Sequence, residues 1–126
     1  MRAPFTCLGE ARHGIVWGAT GAARDAYECA LDYASRREVF GGPIARFQLT
    51  QQKLVDMAIA VNSGFLLALH LGRMKDEGRL APEQVSLGKL ANVRAALEVA
   101  RTARTILGGN GVTLEHSPMR LSLIHI

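Results

Sequence analysis

Two cysteines in 126 residues, Cys7 and Cys29, are too few for a disulfide scaffold and too far apart for a C-x-x-C metal or redox pair. A reducing compartment is the expectation. Aromatic residues make up only 6% of the chain, so a basic nucleic-acid surface would lack the stacking platforms that single strands use. The formal charge of +4 invites a nucleic-acid reading all the same. Yet Arg and Lys are interleaved with Asp and Glu, and the longest basic run is the pair Arg36-Arg37. No nucleic-acid partner is expected. The most apolar stretch, Met57 to Gly72, is broken by Asn62, Ser63 and His70 and falls short of the roughly 20 apolar residues that a membrane span needs. No basic segment followed by an apolar run marks a secretory start. The expectation is a soluble, intracellular protein with no membrane partner.

Catalytic constellations are equally scarce. His13, His70, His116 and His125 share no metal-ligand spacing, so no metal site is assigned. No serine lies in a G-x-S-x-G elbow. Asp25, Asp32, Asp56 and Asp76 fall on helical stretches, where a solvated face is the ordinary explanation. No catalytic residue is assigned.

What is present is helix. A first stretch runs from about Leu8 to Glu38, with Ile15, Ala19, Ala22, Ala26, Cys29, Ala30 and Tyr33 at intervals of three and four, the period of one buried face. It ends at Phe40-Gly41-Gly42-Pro43, which cannot continue a helix. A second runs from about Phe47 to Glu77 through Leu54, Met57, Ala58, Val61, Phe65, Leu66, Leu69 and Met74, and stops at Gly78. A third follows Pro82, from about Glu83 to Leu107, through Val85, Leu87, Leu90, Val93, Ala96, Leu97, Val99 and Ala100. The fold class is all-α, one domain, a long antiparallel bundle in which three helices leave an open side. Gly14, Gly18 and Gly21 share one side of the first helix, where close approach of another backbone would compensate the propensity they cost.

Two turns stand out. Arg37-Glu38-Val39-Phe40-Gly41 sets a guanidinium and an aromatic ring at a helix end, suited to gripping a phosphate and covering a flat heterocycle. Leu107-Gly108-Gly109-Asn110-Gly111 exposes main-chain groups without side-chain obstruction, as close approach of a ligand requires. No Lys-Ser or Lys-Thr pair follows, so it is no P-loop. On the residues alone, a plain helix C-cap accounts for it better.

These two turns, the stretch from Phe5 to Gly18, and Pro43-x-Ala45-Arg46-x-Gln48-Leu49, in this order and spacing, resemble the C-terminal helical domain of the acyl-CoA dehydrogenase family from Phe5 to Arg120. The resemblance is nearest to its glutaryl-CoA dehydrogenase subgroup. It implies an oxidoreductase that uses FAD, abstracts the α-proton of an acyl-CoA with a glutamate, passes hydride to the flavin and then electrons to electron-transfer flavoprotein. In the subgroup, decarboxylation to crotonyl-CoA follows. The resemblance further implies a homotetramer in the bacterial cytoplasm or the mitochondrial matrix. Phe5, Thr6, Cys7, Leu8, Gly9, Glu10, Ala11 and Arg12 would line the acyl-CoA site. Arg37 would bind the FAD diphosphate, with Phe40 beside it and Gln48 reaching the adenosine. Thr105, Ile106, Leu107, Gly108 and Gly109 would approach the FAD of a neighbouring subunit.

Gly9 and Thr105 depart from the longer polar residues usual at their positions. The family's base lies in a Tyr-Glu-Gly-Thr type segment that this sequence does not contain, and Glu115 is no substitute. The expectation is therefore a truncated domain over 1–120, inactive alone, with Met1 an internal start. Residues 121–126, Leu121-Ser122-Leu123-Ile124-His125-Ile126, read as a non-native tail that a transposon-end sequencing adapter would encode, with a native C-terminal strand or helix stub as the alternative. An acyl-CoA oxidase-like flavoprotein and a non-catalytic helical association module remain as alternatives.

Overall fold

The computed structural model describes residues 3–123, and the side chains of residues 7–122. Phe5 and Thr6 of the expected acyl-CoA stretch and residues 123–126 of the expected tail lie outside what is described at side-chain level. Helix α1 spans Ala3–Arg36, α2 Gln48–Asp76, α3 Pro82–Leu107 and α4 Ser117–Leu123, with 3-10 turns at Ile44–Arg46 and Gly108–Val112. Among the described residues the only β pairing is an isolated bridge between Glu38 and Pro43. The all-α bundle read from the sequence is the observed fold.

Local chemistry sets the helix ends. Pro82 occupies the first turn of α3, where its missing N–H costs nothing, and the Gln84 side chain reaches back to accept from the Ala81 amide at 2.8 Å. Glu10, near the start of α1, pairs with Lys75 at the end of α2, so these two helices are antiparallel. Arg12 Nη1 donates to Ser86 Oγ at 3.3 Å, which puts the start of α3 beside the start of α1. Helices α1 and α3 therefore run parallel, and they share the broadest packing in the molecule.

Small residues make that seam. The deepest positions of α1 are Val16, Thr20, Ala23, Ala26, Ala30 and Ala34. The stripe expected to be buried there is displaced: Ala26 and Ala30 hold, but Ile15 is 38% exposed and Ala19 and Ala22 are half-buried. In α2 Leu66 and Leu69, and in α3 Leu87, Leu90 and Val93, are likewise exposed rather than buried. The buried positions include Gly64 and Ala68 in α2 and Gly88, Asn92, Ala100 and Ala103 in α3. A periodicity scored on large apolar side chains misses this, because closely packed helix backbones select for side chains that take up little room. At Gly88 a Cβ would stand 2.3 Å from Leu71 Cδ1.

Asn92 fastens the three long helices at mid-length. It is 3% exposed, and its amide nitrogen donates toward Val16 O (3.1 Å), Thr20 Oγ1 (2.8 Å) and Gly64 O (3.1 Å). Thr20 Oγ1 itself donates to Val16 O at 2.9 Å. A buried amide nitrogen partnered from two other helices fixes their register.

The open side is real. A groove of about 750 Å³ runs between α1 and α3, lined chiefly by Ile15, Ala19, Ala22, Val93, Ala96 and Leu97 and reaching Leu121 and Ser122 of α4. No atom lies within 4 Å of a Cβ placed at Gly14, Gly18 or Gly21, so the close backbone approach expected at these glycines is not made by the described chain. Helix α2 is long and apolar enough to cross a membrane by length and composition alone. Here one of its faces packs into the bundle through Leu54, Met57, Val61 and Leu71, and Val55, Ile59 and Leu66 lie exposed on another.

Candidate functional site

The turn after α1 is built around a strained aromatic. Phe40 has φ 54 and Gly41 φ 80, a left-handed conformation that a bulky non-glycine residue adopts only when its surroundings impose it. Main-chain bonds close the loop, Val39 N to Gly42 O at 2.9 Å and Ile44 N to Arg37 O at 2.9 Å. The guanidinium of Arg46 then clamps its outer edge, donating to Phe40 O at 2.6 Å and to Gly41 O at 3.2 Å. Arg46 also lies 5.0 Å from the centroid of the Phe47 ring, and Phe47 meets Phe40 edge-on at 6.4 Å. The outcome is a phenyl ring that is 87% exposed yet held at a fixed place. The motif that contains Arg46 assigns it no role, and only the folded turn brings its guanidinium onto the Phe40 and Gly41 carbonyls.

Four residues read as cofactor contacts meet at one concavity. Phe40, Gln48, Thr105 and Ile106 line an open hollow of about 650 Å³ between this turn and the end of α3, together with Phe47 and Lys53. Among the described residues no carboxylate lines it. Thr105 is exposed and spends its hydroxyl on Arg101 O at 3.1 Å, whereas Ile106 is 9% exposed. Leu107 is 2% exposed and belongs to the core, so it can offer a ligand only main-chain groups. Gly108 and Gly109 are exposed, and Gly108 caps α3 with φ 59, its amide donating to Thr105 O. The turn is thus a helix cap whose glycines also leave its main chain uncovered; one reading does not exclude the other.

Arg37 faces a different hollow. It lines a cavity of about 230 Å³ with Cys29, Asp32, Tyr33, Arg36 and His116, which shares no lining residue with the hollow at Gln48. Within it Cys29 Sγ lies 3.8 Å from His116 Nδ1, and the Tyr33 ring meets the His116 ring edge-on at 5.8 Å. Asn110 Nδ2 donates to Tyr33 Oη at 3.1 Å, which ties the glycine-rich turn to this cluster.

The expected acyl-CoA stretch occupies the first turns of α1. A helix spreads consecutive residues around its axis, so residues 5–12 do not share one face. Cys7, Leu8, Glu10 and Ala11 are exposed, and Gly9 and Arg12 are half-buried. Arg12 is engaged with Ser86, and Glu10 with Lys75, whose hydrogen bond and positive charge lower the Glu10 carboxyl below the ordinary carboxylate value. Among the described residues no group of three or more His, Cys, Asp or Glu is placed to hold a metal.

Comparison with known proteins places this architecture. Residues 1–124 match the family described as acyl-CoA dehydrogenase, C-terminal domain. A glutaryl-CoA dehydrogenase structure from Mycobacterium smegmatis is 65% identical with a TM-score of 0.94, over 97% of this chain and 32% of that one. A second glutaryl-CoA dehydrogenase structure from the same organism, in complex with FADH2, is 55% identical with a TM-score of 0.94 at the same coverage. The human mitochondrial short-chain specific acyl-CoA dehydrogenase is 38% identical over 104 residues, 82% of this chain and 25% of that protein. The chain thus spans about a quarter of the curated relative and about a third of the solved ones.

Proposed function

Since the chain belongs to the acyl-CoA dehydrogenase family, we propose that it forms the helical flavin-contacting part of an FAD-dependent dehydrogenase of glutaryl-CoA, and that it carries out no turnover alone. The observation that carries this reading is Phe40: an exposed aromatic ring held in a strained conformation beside Gln48 and Thr105, at a hollow open enough for a large planar ligand. FAD bound there would supply the hydride acceptor. Phe40 would cover a flat part of it, Gln48 would hydrogen-bond its polar edge, and Gly108 and Gly109 would offer main-chain groups. Arg37, exposed in the neighbouring cavity, would bind the diphosphate. The solved FADH2 complex of a relative at 55% identity supports the choice of flavin.

Among the described residues none that lines the hollow is a carboxylate, so a base for the α-proton would have to come from elsewhere. Residues 5–12 would contribute to the acyl-CoA site only when other parts of the protein enclose them. The exposed apolar residues of α2, Val55, Ile59 and Leu66, support assembly into a homo-oligomer such as a tetramer. Electron-transfer flavoprotein would be the electron acceptor, in a bacterial cytoplasm or a mitochondrial matrix.

A chimera tests the proposal. Residues 5–120 replace their counterpart in the Mycobacterium smegmatis enzyme that is 65% identical, and glutaryl-CoA turnover is followed with an artificial electron acceptor. The proposal expects turnover from the chimera and none from the 126-residue chain. A soluble, flavin-loaded chimera that is inert toward glutaryl-CoA but turns over butyryl-CoA would refute the substrate assignment.

A further inference from the structure

The cavity at the end of α1 holds a nucleophile that the flavin reading does not use. Cys29 is half-buried there, with its Sγ 3.8 Å from His116 Nδ1, within reach of a sulfur hydrogen bond. With that nitrogen unprotonated, the imidazole accepts the thiol proton. The imidazole is held in place: Tyr33 packs edge-on against it, and Asn110 donates to the Tyr33 hydroxyl from the other side. Two guanidinium groups, those of Arg36 and Arg37, line the same cavity against a single carboxylate, that of Asp32. Arg36 is paired with Asp32, whereas among the described residues Arg37 forms no ion pair, so the mouth of the cavity carries net positive charge. Cys7, by contrast, sits exposed on α1 among the residues of its first turns.

We propose that Cys29 is a site of reversible S-thiolation, selective for low-molecular-weight disulfides that carry carboxylates. His116 Nδ1 takes the proton of Cys29, and the thiolate attacks one sulfur of the disulfide. That S–S bond breaks as the Cys29–sulfur bond forms. The departing thiolate leaves with the electron pair and recovers a proton from the imidazolium. Cys29 is oxidised and half of the small disulfide is reduced, so no further oxidant is required. Arg37, with Arg36 beside it, holds the carboxylates of the incoming molecule by charge-assisted hydrogen bonds. The inference applies to the chain without bound flavin, because Arg37 cannot hold a flavin diphosphate and a disulfide carboxylate at once.

The test uses the whole chain with Cys7→Ser, which leaves Cys29 as its one thiol. Second-order rates are measured with the dianionic 5,5′-dithiobis(2-nitrobenzoate) and the dicationic cystamine, each divided by its rate with a short cysteine peptide. Glutathione disulfide, followed by mass spectrometry, serves as the biological probe. We expect the normalised rate to favour the anionic disulfide by about 10-fold or more, the effect of a positively lined cleft on association. That preference should vanish when the exposed Arg36 and Arg37 are both changed to Gln. His116→Asn should slow all disulfides alike, with an unchanged helical melting curve. Normalised rates that ignore charge overturn the proposal without any substitution in the cavity, and so does a folded His116→Asn chain that reacts as fast as its parent.

Discussion

Asn92 and Phe40 break the same rule in opposite directions. One is a polar side chain at 3% exposure and the other a large apolar one at 87%. At Asn92 the chain answers its own need: three acceptors, from α1 and α2, surround the amide nitrogen. At Phe40 the chain does the reverse, using Arg46 to hold an unfavourable backbone and leaving the ring to solvent. A buried amide nitrogen whose acceptors all come from within the chain marks architecture. An exposed aromatic group held under strain points to something that arrives from outside the chain.

The sharpest way to break this contrast is Asn92→Asp, which puts a carboxylate against three oxygens in the core. We expect a loss of about 3 kcal/mol or more, the range for an uncompensated buried charge, seen as a helical melting point lower by roughly 10 °C. A loss within experimental error would mean that the three helices are not fastened there. Arg46→Gln removes the clamp and should cost about 1 kcal/mol, while raising proton exchange at the amides of residues 39–44; unchanged exchange would show that the main-chain bonds suffice. Phe40→Gly carries the opposite sign. It relieves the left-handed strain and loses only an edge contact with Phe47, so the chain should gain about 0.5–1 kcal/mol. A destabilised Phe40→Gly chain would make Phe40 part of the architecture after all.

The smallest effect expected is electrostatic. Lys75 lowers the Glu10 carboxyl through its hydrogen bond and its charge. The pair therefore favours the folded chain at pH above the ordinary carboxylate value, and the contribution disappears as pH falls through the lowered folded value. Both groups are solvated, so melting points should barely move. The sensitive readout is Glu10 itself: its carboxyl titration by NMR should shift upward in Lys75→Met, and an unaltered titration would separate the two residues.

The same contrast explains what could be read in the sequence. The three long helices and their stops were legible because glycine and proline punctuation is local: Phe40-Gly41-Gly42-Pro43, Gly78 and Gly108-Gly109 fall where the helices end. The start of α1 at Ala3 and the short helix Ser117–Leu123 were not foreseen, since the first carries a weak apolar pattern and the second is defined by packing. In it Pro118 and Ser122 are buried and Arg104 Nη1 donates to Ser122 Oγ at 3.3 Å. The buried faces were legible only in part: Ala26, Ala30, Leu54, Met57, Val61, Met74, Val85, Val99 and Ala100 are buried as expected, whereas Ile15, Leu66, Leu69, Leu87, Leu90 and Val93 face outward because alanine, glycine, threonine and asparagine make the close contacts. Phe40, Gln48, Thr105 and Ile106 were named together through family resemblance, and folding brings them to one hollow. Arg46 and the Cys29–His116 pair depend on geometry that spacing alone does not carry.

Whether Phe40 serves a ligand is measured directly by the flavin content of the chimera. Carrying Phe40→Ala, the chimera should fold with an unchanged melting point in its apo form and bind FAD about 10-fold or more weakly, a difference of about 1.4 kcal/mol. A chimera that holds FAD equally well with and without the Phe40 ring would contradict the account.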